Sequence, residues 1–407
     1  MRFLPTSKTS DMSTSRTLHW FRNDLRLDDN PALAEALHSD EVVPVVVLDD
    51  RLWSEDRWGH VKTGPFRTRF VLESVADLKA AIEDAGGSLL VKQGRPEEIL
   101  PRLMEEWSCA SLTAQAEHTP EELDIESAVA RAVQEVGGTS RWIEGHTLFH
   151  PDDLPMDLDA IPDIFTQFRK KVEKHSEVRE CIAAPSALSC PDGLTSDVVP
   201  TLEDVLVQSG QTMPPADSRG VLPFKGGASE ARARLKHYFW DTKKLAVYKK
   251  TRNGLVGADY SSKFSPWLAS GCISPRRIAS EVYRFEDNVE ANDSTYWLVF
   301  ELIWRDYFRF IAMKFGSRIF HRKALKPESA NRGTQRPAFE AWKEGRTKDA
   351  FVNANMRELA RTGFMSNRGR QNVASYLVHD LGIDWRLGAS WFEHCLLDYD
   401  PASNAGN

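Results

Sequence analysis

Four stretches of the 407-residue chain carry residue types at spacings that can do chemistry. In Trp297–Phe310, Glu301, Trp304, Arg305 and Phe308 stand at i, i+3, i+4 and i+7, so a helix there shows them on one face. That face offers a carboxylate, an indole plate and a guanidinium to one cavity. The plainer alternative is a Glu–Arg helix pair beside a core tryptophan, worth about 0.2–0.5 kcal/mol. In Gly257–Ser265 (GADYSSKFS), small and hydroxyl-bearing positions and Lys263 precede a helix start, where N–H groups and hydroxyls can hold phosphate oxygens. Serine-rich helix starts are also common without any ligand. The third stretch is Phe364–Gln371 (FMSNRGRQ), and the fourth is Asp398-Tyr399-Asp400 followed by Asn404. Two acids two apart can bind a metal, hydrogen-bond a heterocycle or cap a turn, and no histidine pair lies nearby to favour a metal. His146 and His150 are four apart, but Pro151 follows and no helix is expected there, so no metal site is expected.

The elements that must position these residues divide the chain. Residues 17–145 alternate strand and helix: strands at Thr17–Phe21, Val42–Leu48, Leu89–Val91 and Ser111–Ala114, helices at Phe66–Ala85, Pro96–Trp107 and from Pro120 to Gly137, and Trp142-Ile143 closing the series. This alternation predicts a doubly wound parallel α/β sheet. The first strand is followed by RNDLRLDDNP (22–31) and not by a glycine-rich fingerprint, so the usual dinucleotide site is not expected in this domain. From about 146 to 224 the chain is rich in Pro, Asp and Ser, with one helical stretch at Ile164–Val178, and reads as a long connection that wraps a surface. After Ser229 the signals are helical, with Ser265-Pro266 and Ser274-Pro275 as cap pairs and Ser294 able to cap the long helix through Phe310. Helices are also expected at Met356–Leu359, Val373–Leu381 and Ser390–Leu397. The expected organisation is a disordered tail (1–16), an α/β domain (17–150), a linker (151–224) and an all-α domain (225–407).

Composition narrows the function. Apolar residues make up 41% and charged residues 27%, and the longest dense apolar run, Val42–Leu48, is too short for a membrane span of about twenty residues. Five scattered cysteines without C-x-x-C exclude a disulfide scaffold and a cysteine zinc site, and suit a reducing compartment. A net charge of −7 hides a basic stretch: Lys225–Lys263 holds ten Lys/Arg against three Asp/Glu, and Arg357, Arg361, Arg368 and Arg370 form a second cluster. Such local stripes are either a nucleic-acid footprint or a solvated helix face. The first sixteen residues are Ser/Thr-rich with three basic residues against Asp11, a weak transit-peptide signal on an otherwise cytoplasmic chain.

The four stretches, in this order, together with the opening LHWFRNDLRLDDN (18–30), resemble the photolyase/cryptochrome family. Within it, HTLFHPDDLP (146–155), FTQFRKKVE (165–173) and DYSSKFSPWLA (259–269) are similar to the DASH-type cryptochromes, as are Asn355–Leu359 and Gly363–Val373. The resemblance implies FAD in the helical domain, with Tyr248, Ser261, Ser262, Lys263, Phe264 and Ser265 on its phosphate and ribitol side. It implies Arg305 and Asn367 near the flavin, Arg370 and Asp398 as an ion pair across the ring, Asp400 near the adenine and ribityl portion, and Asn404 facing N5. It further implies Glu301 and Trp304 at a flipped pyrimidine dimer, with Arg252, Asn367, Arg368 and Gln371 on the DNA. Glu117 matches a carboxylate that holds a methenyltetrahydrofolate antenna, and Trp385 the middle of an electron-transfer chain.

The implied activity is blue-light repair of cyclobutane pyrimidine dimers, preferentially in single-stranded DNA, by a monomer. The alternative is a photoreceptor that repairs nothing. Some positions depart from the family's pattern. No tryptophan stands near Arg332, where an outer electron donor is expected; Asn353 replaces an Asp; Lys348-Asp349-Ala350 replaces Gly-Tyr-Pro. The inner donor would fall after Asn407, so a C-terminally truncated chain with slow or absent photoreduction is expected.

Overall fold

The computed structural model describes residues 14–215, 217–321 and 333–406. Five strands form one sheet: β1 (Arg16–Phe21), β2 (Glu41–Leu48), β3 (Leu90–Gln93), β4 (Ser111–Gln115) and β5 (Thr139–Ile143). All pair in parallel in the order β3-β2-β1-β4-β5. Helices α1 (Pro31–Ala36), α2 (Pro65–Asp84), α3 (Pro96–Glu106) and α4 (Pro120–Glu135) connect them. This is the doubly wound sheet expected from the alternation. The strands read as solid apolar runs because both faces are covered. Leu18, Trp20, Val43, Val45 and Val47 pack on one side with Leu100, Leu103 and Val133. Phe21, Val42, Val46 and Leu48 pack on the other with Phe70, Val75 and Ile82. Pro44 is tolerated inside β2 because the β3 pairing begins only at Val45, so its missing N–H is not demanded by the ladder.

The segment predicted as a linker holds two helices, α5 (Phe165–His175) and α6 (Leu202–Gln208), the second of which was not expected. Between them it closes the sheet. Val42 N–H donates to Ser189 O at 2.9 Å, and Val91 N–H to the Asp197 carboxylate at 2.9 Å, so strand groups that would face water are paired.

The remainder is helical: α7 (Ala228–Lys236), α8 (Tyr248–Thr251), α9 (Ser265–Ala269), α10 (Pro275–Asn288), α11 (Asp293–Phe315), α12 (Arg336–Lys343), α13 (Ala350–Thr362), α14 (Asn367–Ser375), α15 (Trp385–Cys395) and α16 (Pro401–Gly406). Ser274 caps α10 as expected, its Oγ accepting from Arg277 N–H at 2.9 Å. Two caps differ from expectation. Phe264, not Ser265, precedes α9, and the cap of α11 is Asn292. Asn292 Oδ1 accepts from Ser294 and Thr295 N–H while Thr295 Oγ1 accepts from Asn292 N–H, a reciprocal arrangement that Ser294 could not complete. Ser294 Oγ instead accepts from Lys249 N–H at 3.2 Å. β1 begins at Arg16, and Ser15 is bonded to Asp40, so residues 15 and 16, expected in a tail, belong to the sheet and its edge; residues 1–13 and Arg332 lie outside the described residues. No helix among the described residues is long and apolar enough to cross a membrane.

The segment after β1 joins the α/β layer to the helical layer. Asp29, fully buried, receives Arg276 at 2.6 and 3.0 Å and the Ser274 hydroxyl; Asp28 receives Arg277 at 2.7 Å. Buried Arg26 donates to Gly271 O at 2.8 Å. Gly271 takes φ +67° and lies so close to Asn23 O that a Cβ would stand 1.8 Å from it; only glycine fits. The motif that lacks a phosphate fingerprint is thus an interdomain clasp.

Candidate functional site

The four chemical stretches converge. The first reaches the second by a relay: Glu301 forms an ion pair with Arg252, and the buried Tyr248 hydroxyl lies within reach of both Arg252 and Ser262. The second meets the third across Phe364, with Lys263 Nζ 5.8 Å and the Arg370 guanidinium 5.7 Å from its ring centre. Asp398 joins third to fourth, accepting from Arg370 Nη2 at 2.7 and 2.9 Å. Asp400 joins fourth to first by an ion pair with Arg309.

Each predicted residue has a definite place. On α11, Glu301 is partly buried; burial pushes its carboxyl above the usual range and Arg252 opposes that. Trp304 is half-buried and stacked on Phe165, ring centres 3.6 Å apart and 13° from parallel. Arg305 donates to the backbone carbonyls of His146 and Leu268, and burial with neighbouring Arg309 lowers it to about 9.

In the 257–265 loop, Ser262, Lys263 and Phe264 are buried and Ser265 is exposed at the start of α9. Lys263 has φ +58°; its Nζ lies 3.1 Å from the Tyr260 ring centre and 3.4 Å from Ser261 Oγ. Burial, and then Arg234, lower Lys263 to about 7. Arg368 donates to Gln371 Oε1 at 3.1 Å and to Asn253 Oδ1 at 3.2 Å, and Asn367 opens α14. Burial raises Asp400, but Arg309 and Arg305 outweigh it and hold the carboxyl well below its ordinary range. Asn404, on α16, bonds its backbone N–H to Asp400 O at 2.8 Å and directs its amide to Ala389 O at 3.5 Å. Trp385 is the first residue of α15, half-buried, while Trp342 is fully buried with its indole N–H on Val373 O at 3.0 Å.

Glu117 lies apart from these, just past the end of β4. Its Oε1 is 2.8 Å from Asn23 Nδ2 and 2.9 Å from His146 Nε2. Burial pushes Glu117 up, but His146, Arg22 and Asn23 outweigh it and hold the carboxyl at about 2; burial lowers His146 to about 4. An ionised, buried, acceptor-only group results. His146 links the two regions: its ring bonds Glu117 and its carbonyl accepts from Arg305.

Several residues that build the site escaped the sequence reading. Arg234 ties the 258–262 loop, donating to Ser262 O, Ala258 O and Ser261 O at 3.0–3.1 Å and to Asp259 at 2.8 Å. It stands more than twenty residues before that loop and carries no local signal. Arg309 had one: it follows Arg305 by four on the same helical face. Phe165 was visible only as part of a motif, and His146 was weighed as a metal ligand.

These groups fit FAD. Lys263 is buried and Arg305 partly buried, and neither has a carboxylate ion-pair partner among the described residues, which suits an anionic diphosphate. Buried Arg309 Nη1 and Tyr260 Oη also lack hydrogen-bond partners there, as groups awaiting a polar ligand would.

Comparison with known proteins agrees with this geometry. The DNA photolyase family profile matches residues 17–188, and the profile described as FAD binding domain of DNA photolyase matches 297–407. The chain is 48% identical over 402 residues to the cryptochrome DASH of Danio rerio, covering 97% of this chain and 76% of that one. It is 48% identical to that of Gloeobacter violaceus, covering 97% and 79%. The crystal structure of Synechocystis cryptochrome superposes with a TM-score of 0.92 at 44% identity, covering 100% of this chain and 82% of that one. A bacterial class III photolyase from Agrobacterium tumefaciens gives 0.81 at 27% identity, covering 98% and 80%. With an interdomain clasp, a set of largely buried charged groups that fits FAD and these matches, the chain belongs to the photolyase/cryptochrome family and, within it, to the DASH-type cryptochromes.

Proposed function

We propose that this chain repairs cyclobutane pyrimidine dimers under blue light, preferentially in single-stranded DNA. The observation that carries the reading is the α11 face. A partly buried carboxyl, Glu301, and a half-buried indole, Trp304, stand one turn apart on α11 beside Arg305, Glu301 paired with Arg252 and Trp304 stacked on Phe165. FAD, when bound, would supply light-driven one-electron chemistry with no net redox change over the cycle. The protein's part is positioning and electrostatics. Burial favours the protonated Glu301 carboxyl, which can donate a hydrogen bond to a thymine edge. Trp304, backed by Phe165, offers a stacking plate for an extruded base, worth about 1–3 kcal/mol.

Arg370, balanced by Asp398, would supply positive charge to the flavin, and the neutral amide of Asn404 would tolerate a flavin anion. Tyr248, Ser261, Ser262, Lys263, Phe264 and Ser265 would hold the phosphate side of FAD, and Asp400 its adenine and ribityl portion. Arg252, Asn367, Arg368 and Gln371 meet the DNA. Glu117 is assigned to a methenyltetrahydrofolate antenna, because an ionised buried acceptor suits the N–H edge of a pterin. Trp385 is assigned to electron transfer. The same proposal takes the chain as a monomer, cytoplasmic, or organellar if the N-terminal residues act as a transit peptide, and divides it at about residues 150 and 224.

The ion pair between Arg252 and Glu301 favours a second reading, a photoreceptor that repairs nothing, since each occupies the other. One experiment separates them. FAD-loaded, chemically reduced protein is illuminated with a single-stranded oligothymidylate carrying one dimer and with the same strand in duplex. Restored thymine absorbance, faster for the single strand, supports repair. A flavoprotein that changes its spectrum in light and leaves the dimer intact establishes the photoreceptor instead.

A further inference from the structure

Val256, 90% exposed, stands furthest into solvent of the large apolar side chains among the described residues. It sits at the tip of the loop between α8 and α9, and the root of that loop is held. Gly254 N–H donates to Thr251 O at 2.8 Å, and Gly254 lies so close to the Tyr260 ring that a Cβ would be 2.8 Å from Tyr260 Cβ. Asn253 accepts from Arg368 at 3.2 Å, which brings the loop to the start of α14. Gly257 follows the tip with φ +90° and open space around it. The tip is therefore presented from a fixed base.

Its surroundings are basic. Arg252 precedes the loop, and Lys250 and Arg368 are exposed without a carboxylate partner among the described residues. The nearest acid in sequence, Asp259, is held by Arg234. An apolar tip within a cationic surface matches a polyanion whose apolar faces are accessible. A single strand meets that description, since its bases are unstacked and its phosphates lie alongside; a duplex hides the base faces.

We propose that Val256 is a wedge that packs against a base beside the lesion, and that it sets the preference for single-stranded over duplex DNA. The proposal rests on the repair reading above and names a contact that reading does not contain. Lys250 and Arg368 would track the phosphates while Val256 covers a base face.

The test measures binding of the FAD-loaded 407-residue chain to a dimer-bearing oligothymidylate, single-stranded and in duplex, by fluorescence anisotropy at several salt concentrations. Val256→Ser should weaken single-strand binding about tenfold, the value of burying one aliphatic side chain. The salt slope should not change, because no counterion is released by an apolar contact. Val256→Ile should bind like the parent, and duplex affinity should change little. Lys250→Ala should lower the single-strand slope by about 0.7. Parental affinity in Val256→Ser, or an equal loss on duplex, overturns the wedge and leaves the repair reading standing. A flavin-loaded parent that binds neither DNA overturns the repair reading itself.

Discussion

Arg252 and Glu301, forty-nine positions apart in the chain, form an ion pair at the junction of α8 and α11, beside the half-stacked Trp297–Phe300 rings. Both were assigned to the substrate, one to a phosphate and one to a thymine edge. Their pairing makes each the control on the other's charge.

Because burial raises Glu301 and Arg252 lowers it, Arg252→Gln should move the carboxyl's titration to higher pH. The protonated carboxylic-acid band in infrared difference spectra should persist to higher pH than in the parent. Glu301→Ala should reduce repair yield per photon with flavin retained, and Glu301→Gln should recover part of it. A titration unmoved by Arg252→Gln would show that the pair does not govern Glu301.

Phe165 backs the Trp304 indole, and an aromatic pair of this kind contributes about 0.5–1.5 kcal/mol. Trp304→Ala should lower dimer affinity most. Phe165→Ala should lower it by a smaller factor, through a looser indole. Flavin absorbance should survive in both. Loss of flavin from both variants would make this face a structural one.

Arg309 is buried and depends on Asp400 for its partner. Asp400→Ala should strand that charge at a cost of about 3–5 kcal/mol and release flavin. The double variant Asp400→Asn with Arg309→Gln, which removes both charges, should regain much of the thermal stability. Equal melting temperatures of the single Asp400→Ala variant and the parent would contradict this.

Glu117 and His146 predict acid sensitivity. His146 is lowered to about 4 and Glu117 to about 2, so each binds its proton more readily in the unfolded chain. Their contributions are present at neutral pH. His146's is lost as pH falls from its ordinary 6.5 through about 4, and Glu117's as pH falls from 4.5 toward about 2. In urea unfolding measured against pH, Glu117→Gln should flatten the lower part of that decline. Superimposable curves for variant and parent would remove Glu117 from the account.

Much of this protein was legible in the sequence because it is local. Alternating apolar runs and glycine stops carry the parallel sheet, since strand and helix periods are properties of a few adjacent residues. The α11 face of Glu301, Trp304 and Arg305 follows from 3.6 residues per turn, and the motif stretches carried the family. The tertiary structure alone decided which charge neutralises which. Arg234 holds a loop more than twenty residues away, Asp28 and Asp29 bind Arg276 and Arg277 across some 250 residues, and Arg252 meets Glu301. A buried charge must find a partner, but any opposite charge the fold brings near will serve, so the choice is written in packing rather than in spacing. The same holds for Phe165. Its helix was expected, yet its place behind Trp304 depends on a connecting segment folding back over α11, a matter of long-range apolar burial that no local pattern records.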